Sequence, residues 1–255
     1  MGNLAARAVN LSVTRGSGAK QQTVLSDLNL QVETGEILAV LGASGAGKTT
    51  LLHALAGLLA PTSGEVLHHN TGAGVASGLV FQKPLLLPWL TARENIRLGF
   101  RYGRNRKALG LNAEKFNTRI DDLAGVLGIT NLLDRRISEL SGGQAQRVAI
   151  ARTIALQPHL LLLDEPFSAL DAATRAGLQT WLTELRRMLG LTVVLVTHDI
   201  DEAIEVADRV VVLTKPGEVP TEYRLSELKI ARSLTAGAKT NLQIIRQEIL
   251  QTLGK

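Results

Sequence analysis

The 255-residue chain contains no cysteine. That excludes a disulfide scaffold and a thiolate zinc site, and it fits a reducing compartment. No apolar run approaches the ~18 residues of a membrane span. The longest are short, such as Leu160 to Leu163 and Val193 to Val196. The opening residues, Met1 to Arg7, hold no apolar stretch of signal-peptide length. Met1-Gly2 begins like a myristoylation signal, but Ala6 stands where that signal needs Ser or Thr. There is no repeat of solenoid length, no low-complexity tract and no sustained heptad pattern. The expectation is a soluble chain whose membrane role, if it has one, comes through a partner.

Hydrophobic residues make up 45% of the chain and charged residues 20%, a globular balance with enough length for one or two compact domains. The net charge is +5. Lys and Arg are scattered, with no block beyond Arg101 to Lys107. An ordinary solvated surface accounts for this; nucleic acid and an anionic membrane face are the alternatives.

Ile37 to Leu41, Leu79 to Phe81, Leu160 to Leu163, Thr192 to Val196 and Val210 to Leu213 are apolar on both faces, as in parallel strands covered on two sides. Helix-like runs between them make the class α/β. Ala8 to Val13 and Val24 to Val32 alternate around Gly16-Ser-Gly18, which predicts an antiparallel sheet beside the parallel core. From Thr91 to Gln157 the apolar spacing is helical, with Leu123, Val126, Leu127, Leu132 and Leu133. Gly103 to Gly110 predicts a loop or helix break. The expected division is an α/β core over 1–85 and 158–225, with the antiparallel part near 5–35, a helical insertion over 86–157 and a helical tail over 226–255. Leu242, Ile244, Ile245, Ile249 and Leu250 carry the tail's periodicity.

Gly42, Ala43, Ser44, Gly45, Ala46, Gly47, Lys48 and Thr49 match the phosphate-loop pattern in full, and with Thr50, which follows, they are the expected nucleotide-binding residues of the loop. A buried strand leads in and a helix, Thr49 to Leu59, leads out. Glycines let successive N–H groups turn toward phosphate oxygens, and the helix N-terminus adds partial positive charge. Lys48 suits the β- and γ-phosphates and Thr49 a Mg²⁺ ion. The motif implies an NTPase.

A second apolar strand ends in Asp164-Glu165-Pro166. Asp164 suits the Mg²⁺ shell. Glu165, one residue on, points differently and suits a general base polarising water. A third strand ends in Thr197-His198-Asp199, where His198 suits a γ-phosphate contact.

Leu140-Ser141-Gly142-Gly143-Gln144 resembles the signature of ATP-binding cassette proteins. Phe81-Gln82 is similar to that family's glutamine loop, Ser168 to Asp171 to its D-loop and His198 to its switch histidine. The resemblance spans Ala8 to Leu213, with the motifs in the family's order. It implies a phosphate-loop NTPase core with an inserted helical subdomain, and the activity of an ATPase using ATP and Mg²⁺. It puts Gln82 among the catalytic and metal-holding residues. Ser141, Gly142, Gly143, Gln144 and Asp171 fall among those that bind nucleotide. Ser141 and Gly143 read as a second anion nest, with a plain helix cap as the alternative. In the family this nest serves ATP held by another subunit, so the resemblance implies a head-to-tail dimer with a second copy. Arg15 stands where the family usually has an aromatic that stacks on adenine. It is either a stacking guanidinium or an exposed strand end.

A single cassette, the run Asp164 to Asp171 and Leu85-Leu-Leu-Pro-Trp89-Leu90 resemble bacterial importer ATPases of the nitrate, sulfonate and taurine group. The implied partners are an integral membrane permease and, indirectly, a solute-binding protein, with no nucleic acid. The implied location is peripheral, on the cytoplasmic face of the inner membrane. Trp89 either edges a groove for a permease helix or packs the helical insertion. An exporter ATPase and a soluble cassette protein acting on nucleic acid or ribosomes remain the alternatives.

Overall fold

The computed structural model of the chain describes residues 4–16, 21–69, 74–225 and 237–254. They divide into two compact units, Met1–His69 with Thr192–Lys255, and Asn70–Leu191. Ser17, Gly18 and the start of the tail at Ser226 lie outside the described residues.

In the first unit, β1 (Leu4–Arg15) and β2 (Gln22–Glu33) form the expected antiparallel pair. Their apolar alternation slips at bulges, where Asn10 and Asp27 adopt φ of 47° and 48°. Short polar side chains tolerate that region. Leu28, Leu30 and Val32 are buried as read, but across the slip Leu25 turns inward and Val24 is only half-buried. A third strand, β4 (Ser63–His68), pairs on the other side of β1 and was not expected.

β3 (Ile37–Gly42) runs parallel to β7 (Val193–Thr197) on one side and β8 (Arg209–Leu213) on the other. Every residue of β3 and β7 is buried, as predicted for strands covered on both faces. β9 (Thr221–Arg224) closes this edge antiparallel to β8, a strand too polar and short to be read from sequence. Helix α1 (Lys48–Leu55) follows β3 and is shorter at its C-terminus than expected. Helix α7 (Ile200–Val206) follows β7. The tail helix α8 (Gly237–Thr252) buries Leu242 and Ile249, while Ile244 is exposed.

The second unit pairs β5 (Val75–Val80) parallel with β6 (Pro158–Asp164). β6 is buried through Leu160 to Leu163, but β5, an edge strand, is mostly half-buried rather than covered on both faces. Between them lie α2 (Ala92–Arg97), α3 (Gly103–Leu109), α4 (Ala113–Leu127) and α5 (Gly142–Ile154). The stretch from Gly103 to Gly110 is thus a short helix, ended by Gly110 at φ 63°, and not a loop. α4 is capped by Asn112, buries Leu123 and Leu127, and leaves Val126 exposed. α6 (Ala172–Leu189) follows β6. Trp181 on α6 donates its indole N–H to Leu127 O at 3.0 Å, tying that helix to the end of α4. Among the described residues no helix is long and apolar enough to cross a membrane.

Candidate nucleotide site

The phosphate loop joins β3 to α1 inside the first unit. Two glycines are required by its shape. Gly45 and Gly47 have φ of 85° and 92°. A Cβ at Gly47 would also lie 2.8 Å from Leu25 Cδ2 and 3.0 Å from Val24 O. The loop is therefore seated against β2, and a side chain at Gly47 would collide with the strand backbone. Lys48 is 7% exposed and donates to Gly42 O at 2.8 Å and Ala43 O at 3.0 Å. Its charge is held against the loop by the loop's own carbonyls, which offsets part of the cost of burying an ammonium. Thr49 is exposed on the first turn of α1, whereas Thr50 is buried. Ala43, Ser44 and Gly45 form the exposed rim.

His198 belongs to the same unit and is exposed at the end of β7. Its backbone is fixed from both sides. Thr197 Oγ1 accepts from Asp199 N at 3.0 Å and donates to Glu202 Oε2 at 2.7 Å. Asp199 caps α7, accepting from Asp201 N and Glu202 N. Arg15 is exposed at the end of β1, opposite Gln22, two residues beyond the Val13–Leu25 pair that lies beside the loop.

In the second unit β6 delivers Asp164 and Glu165, both half-buried. Glu165 has φ 43°, a costly region for a non-glycine residue. Pro166 and Phe167 are buried behind it and anchor the turn. Gln82 Nε2 donates to Glu165 Oε2 and to Ser168 Oγ, both at 3.1 Å. Ser168 Oγ in turn donates to Glu165 O at 3.0 Å. With both amide hydrogens directed this way, Gln82 has its carbonyl oxygen left as an acceptor. In this unit that oxygen and the Asp164 carboxylate, and in the first unit the Thr49 hydroxyl, are each hard oxygen donors of the kind Mg²⁺ takes alongside water and phosphate.

Ser141 is the N-cap of α5 in a reciprocal capping box: Gln144 N donates to Ser141 Oγ at 3.3 Å and Ser141 N to Gln144 Oε1 at 2.9 Å. The plain-cap reading thus describes the geometry, and it also sets Ser141, Gly142 and Gly143 at a helix N-terminus. A Cβ at Gly143 would meet Thr174 Cγ2 at 2.5 Å, so α5 and α6 approach closely there. Asp171 caps α6. Its carboxylate accepts from Thr174 Oγ1 at 2.6 Å and from Thr174 N at 3.0 Å, and these bonds hold it below the usual carboxylate range.

Two residues that sequence reading passed over organise the loop after Gln82. Asn95, fully buried, accepts from Leu87 N at 2.8 Å and donates to Leu87 O at 3.1 Å. Arg152 donates to Leu85 O at 2.9 Å and Pro84 O at 3.0 Å, and burial lowers its pKa from the ordinary arginine value. The Arg152 bonds run to backbone atoms across a long sequence separation and those of Asn95 reach back beyond its own helix, so no local pattern announces them. Leu85 and Trp89, 56% and 68% exposed, point outward from this pinned loop. The exposure of Trp89 removes the reading in which it packs the helical insertion.

The family model described as ABC transporter matches residues 25–168. The chain is 40% identical over 229 residues to the taurine import ATP-binding protein TauB of Jannaschia sp. (strain CCS1), covering 88% of this chain and 83% of that one. It is also 40% identical over 240 residues to the aliphatic sulfonates import ATP-binding protein SsuB of Bacillus licheniformis, covering 92% and 89%. Among solved structures, an ATP-binding cassette in a dimeric post-hydrolysis state with ADP and Pi matches with a TM-score of 0.71 at 33% identity, over 86% of this chain and 98% of that one. With its motifs in the family's order and relatives along most of its length, the chain belongs to the ABC transporter family and is an ATPase.

Proposed function

We propose that this ATPase drives uptake of a small oxyanion, of the sulfonate or taurine kind, through a separate membrane permease. Two copies sandwich two ATP molecules head to tail, at the cytoplasmic face of the membrane. The phosphate loop from Gly42 to Thr49 holds the phosphates, with Lys48 neutralising the β- and γ-oxygens. Thr49, Gln82 and Asp164 hold Mg²⁺. Glu165 takes the proton of the attacking water and His198 contacts the γ-phosphate. Ser141, Gly142, Gly143 and Gln144 serve the nucleotide bound by the other copy, and Asp171 lies beside them. Arg15 stacks on adenine. The 86–157 segment acts as the helical insertion that meets the permease.

The observation that carries this reading is the Gln82–Glu165 hydrogen bond. It ties the candidate base to the first residue of a loop whose far end exposes Leu85 and Trp89. A permease helix seated on those apolar side chains has a short route to the hydrolytic carboxylate. The relatives' names support import and the sulfonate class.

Glu165→Gln keeps the shape of the site and removes the base. ATP affinity is expected to stay near wild type, while turnover falls about 10²–10⁴-fold, the range for loss of a general base. Turnover at the wild-type rate would remove Glu165 from the role. Lys48→Ala should instead weaken nucleotide binding itself, read by equilibrium titration. Copurification with a membrane permease and ATP-dependent uptake in reconstituted vesicles test the transport half.

A further inference from the structure

The chain's excess positive charge has an address. Between Asn95 and Ala113 there is no Asp or Glu, and there are five cations: Arg97, Arg101, Arg104, Arg106 and Lys107. Of the 28 Lys and Arg in the chain, the other 23 equal the 23 Asp and Glu, so this segment accounts for the whole net charge of +5. All five are exposed, and among the described residues none is held in an ion pair.

The fold anchors the backbone that carries these cations. A 3₁₀ turn, Leu98–Arg101, leads into α3. Phe100 and Leu109 are 6% and 5% exposed and pin the two ends of the segment. Asn105 Nδ2 donates to Gly99 O at 2.8 Å, and Gly74 N to Ala108 O at 3.1 Å. Asn105 and Leu109 thus mark the inward side of α3. At about 100° per residue, Arg104, Arg106 and Lys107 fan across the opposite side. Tyr102, 69% exposed, stands among them at the N-cap.

Helix chemistry explains only part of this. Arg106 and Lys107 lie in the last turn, where a cation complements the dipole. Arg104 lies near the first turn, where it opposes the dipole, and Arg101 lies outside the helix. Single-stranded nucleic acid is bound through successive stacking aromatics, and this surface offers one Tyr. An amphipathic aromatic ringed by Arg and Lys fits instead the headgroup layer of an anionic membrane.

We propose that Arg101, Tyr102, Arg104, Arg106 and Lys107 form a docking surface for anionic phospholipid headgroups, which holds the helical part of the ATPase against the bilayer. The proposal rests on the importer reading for its biological sense. Its test uses neither permease nor solute, so the two can fail separately. The purified full chain is floated with phosphatidylcholine vesicles, with and without phosphatidylglycerol. Binding is expected only with the anionic lipid, falling as salt rises. Each Gln replacement should lower partition about fivefold, measured for Arg104→Gln with Lys107→Gln and then for all four cations. Tyr102→Ser should weaken binding further. ATP turnover in solution should be unchanged in every variant, which also shows that they fold. Equal binding to neutral vesicles, or undiminished binding by the fourfold variant, would overturn the proposal. So would preferential capture by a single-stranded oligonucleotide, which would assign the surface to nucleic acid.

Discussion

Arg209 leaves β8 into the space beside three other segments of its unit. Its guanidinium donates to both carboxylate oxygens of Glu36, at 2.7 and 3.1 Å, to Glu222 at 2.8 Å and to the backbone oxygen of Gln31. Arg209 and Glu36 have side chains only 5% and 9% exposed. Burial works to lower the arginine's pKa, but the hydrogen bonds and charges of Glu36 and then Glu222 outweigh it and raise the value. Glu36 precedes β3, so this one side chain ties the strand that feeds the phosphate loop to β8 and β9. Arg209→Met would leave Glu36 buried without its charge partner, at a cost of about 3–5 kcal/mol. Urea unfolding should show that loss, and Glu36→Gln added to it should restore a measurable part. Full additivity of the two substitutions would mean that the pair does not act as a unit.

At the scale of elements, what could be read beforehand follows from how burial writes itself into sequence. β3, β6, β7 and β8 are apolar runs because they are buried on both faces, and each was visible. β4 and β9 are mostly exposed, held by ladder hydrogen bonds that any residue can make, and they left no pattern. α3 was obscured by Gly103, Gly110 and its charges. The phosphate-loop residues were legible because the motif is contiguous, whereas Asn95 and Arg152 act through backbone atoms of a loop that the fold brings to them. The tail helix shows the same limit. Its periodicity gave Leu242 and Ile249, but not its attachment to α7 through Arg246. That guanidinium donates to the two oxygens of Asp201 at 2.7 and 3.1 Å. The bond depresses the Asp201 pKa below its ordinary 3.8. A depressed carboxylate stabilises above its unfolded pKa, and the contribution is lost as pH falls through the folded value. Protection factors across Leu242 to Thr252, taken relative to the intrinsic exchange rate at each pH, should therefore be high at neutral pH and fall below about pH 4. Asp201→Asn should lower them already at neutral pH. Protection unchanged in Asp201→Asn would show that Leu242 and Ile249 suffice to hold the helix.

For the whole molecule, the proposed sandwich dimer would make a demand that no single chain can meet. Ser141 caps α5 within its own chain, and that cap satisfies the helix whether or not a second copy is present. If the nest formed by Ser141 to Gly143 serves the other copy's ATP, then each site is built from one chain's Lys48 and the other chain's Ser141. A chain carrying Lys48→Ala keeps a sound nest, and a chain carrying Ser141→Arg keeps a sound phosphate loop. Either variant alone spoils both sites of its dimer and should be close to inactive. Mixed and allowed to exchange, half of the dimers are heterodimers by random pairing. In each of these one site takes Lys48 from one chain and Ser141 from the other, and is intact. ATPase activity of an equal mixture should therefore rise above the sum of the separate variants, toward about a quarter of wild type if sites turn over independently. An activity equal to that sum would mean that the sites do not share residues across the two copies, and the functional unit would return to one chain.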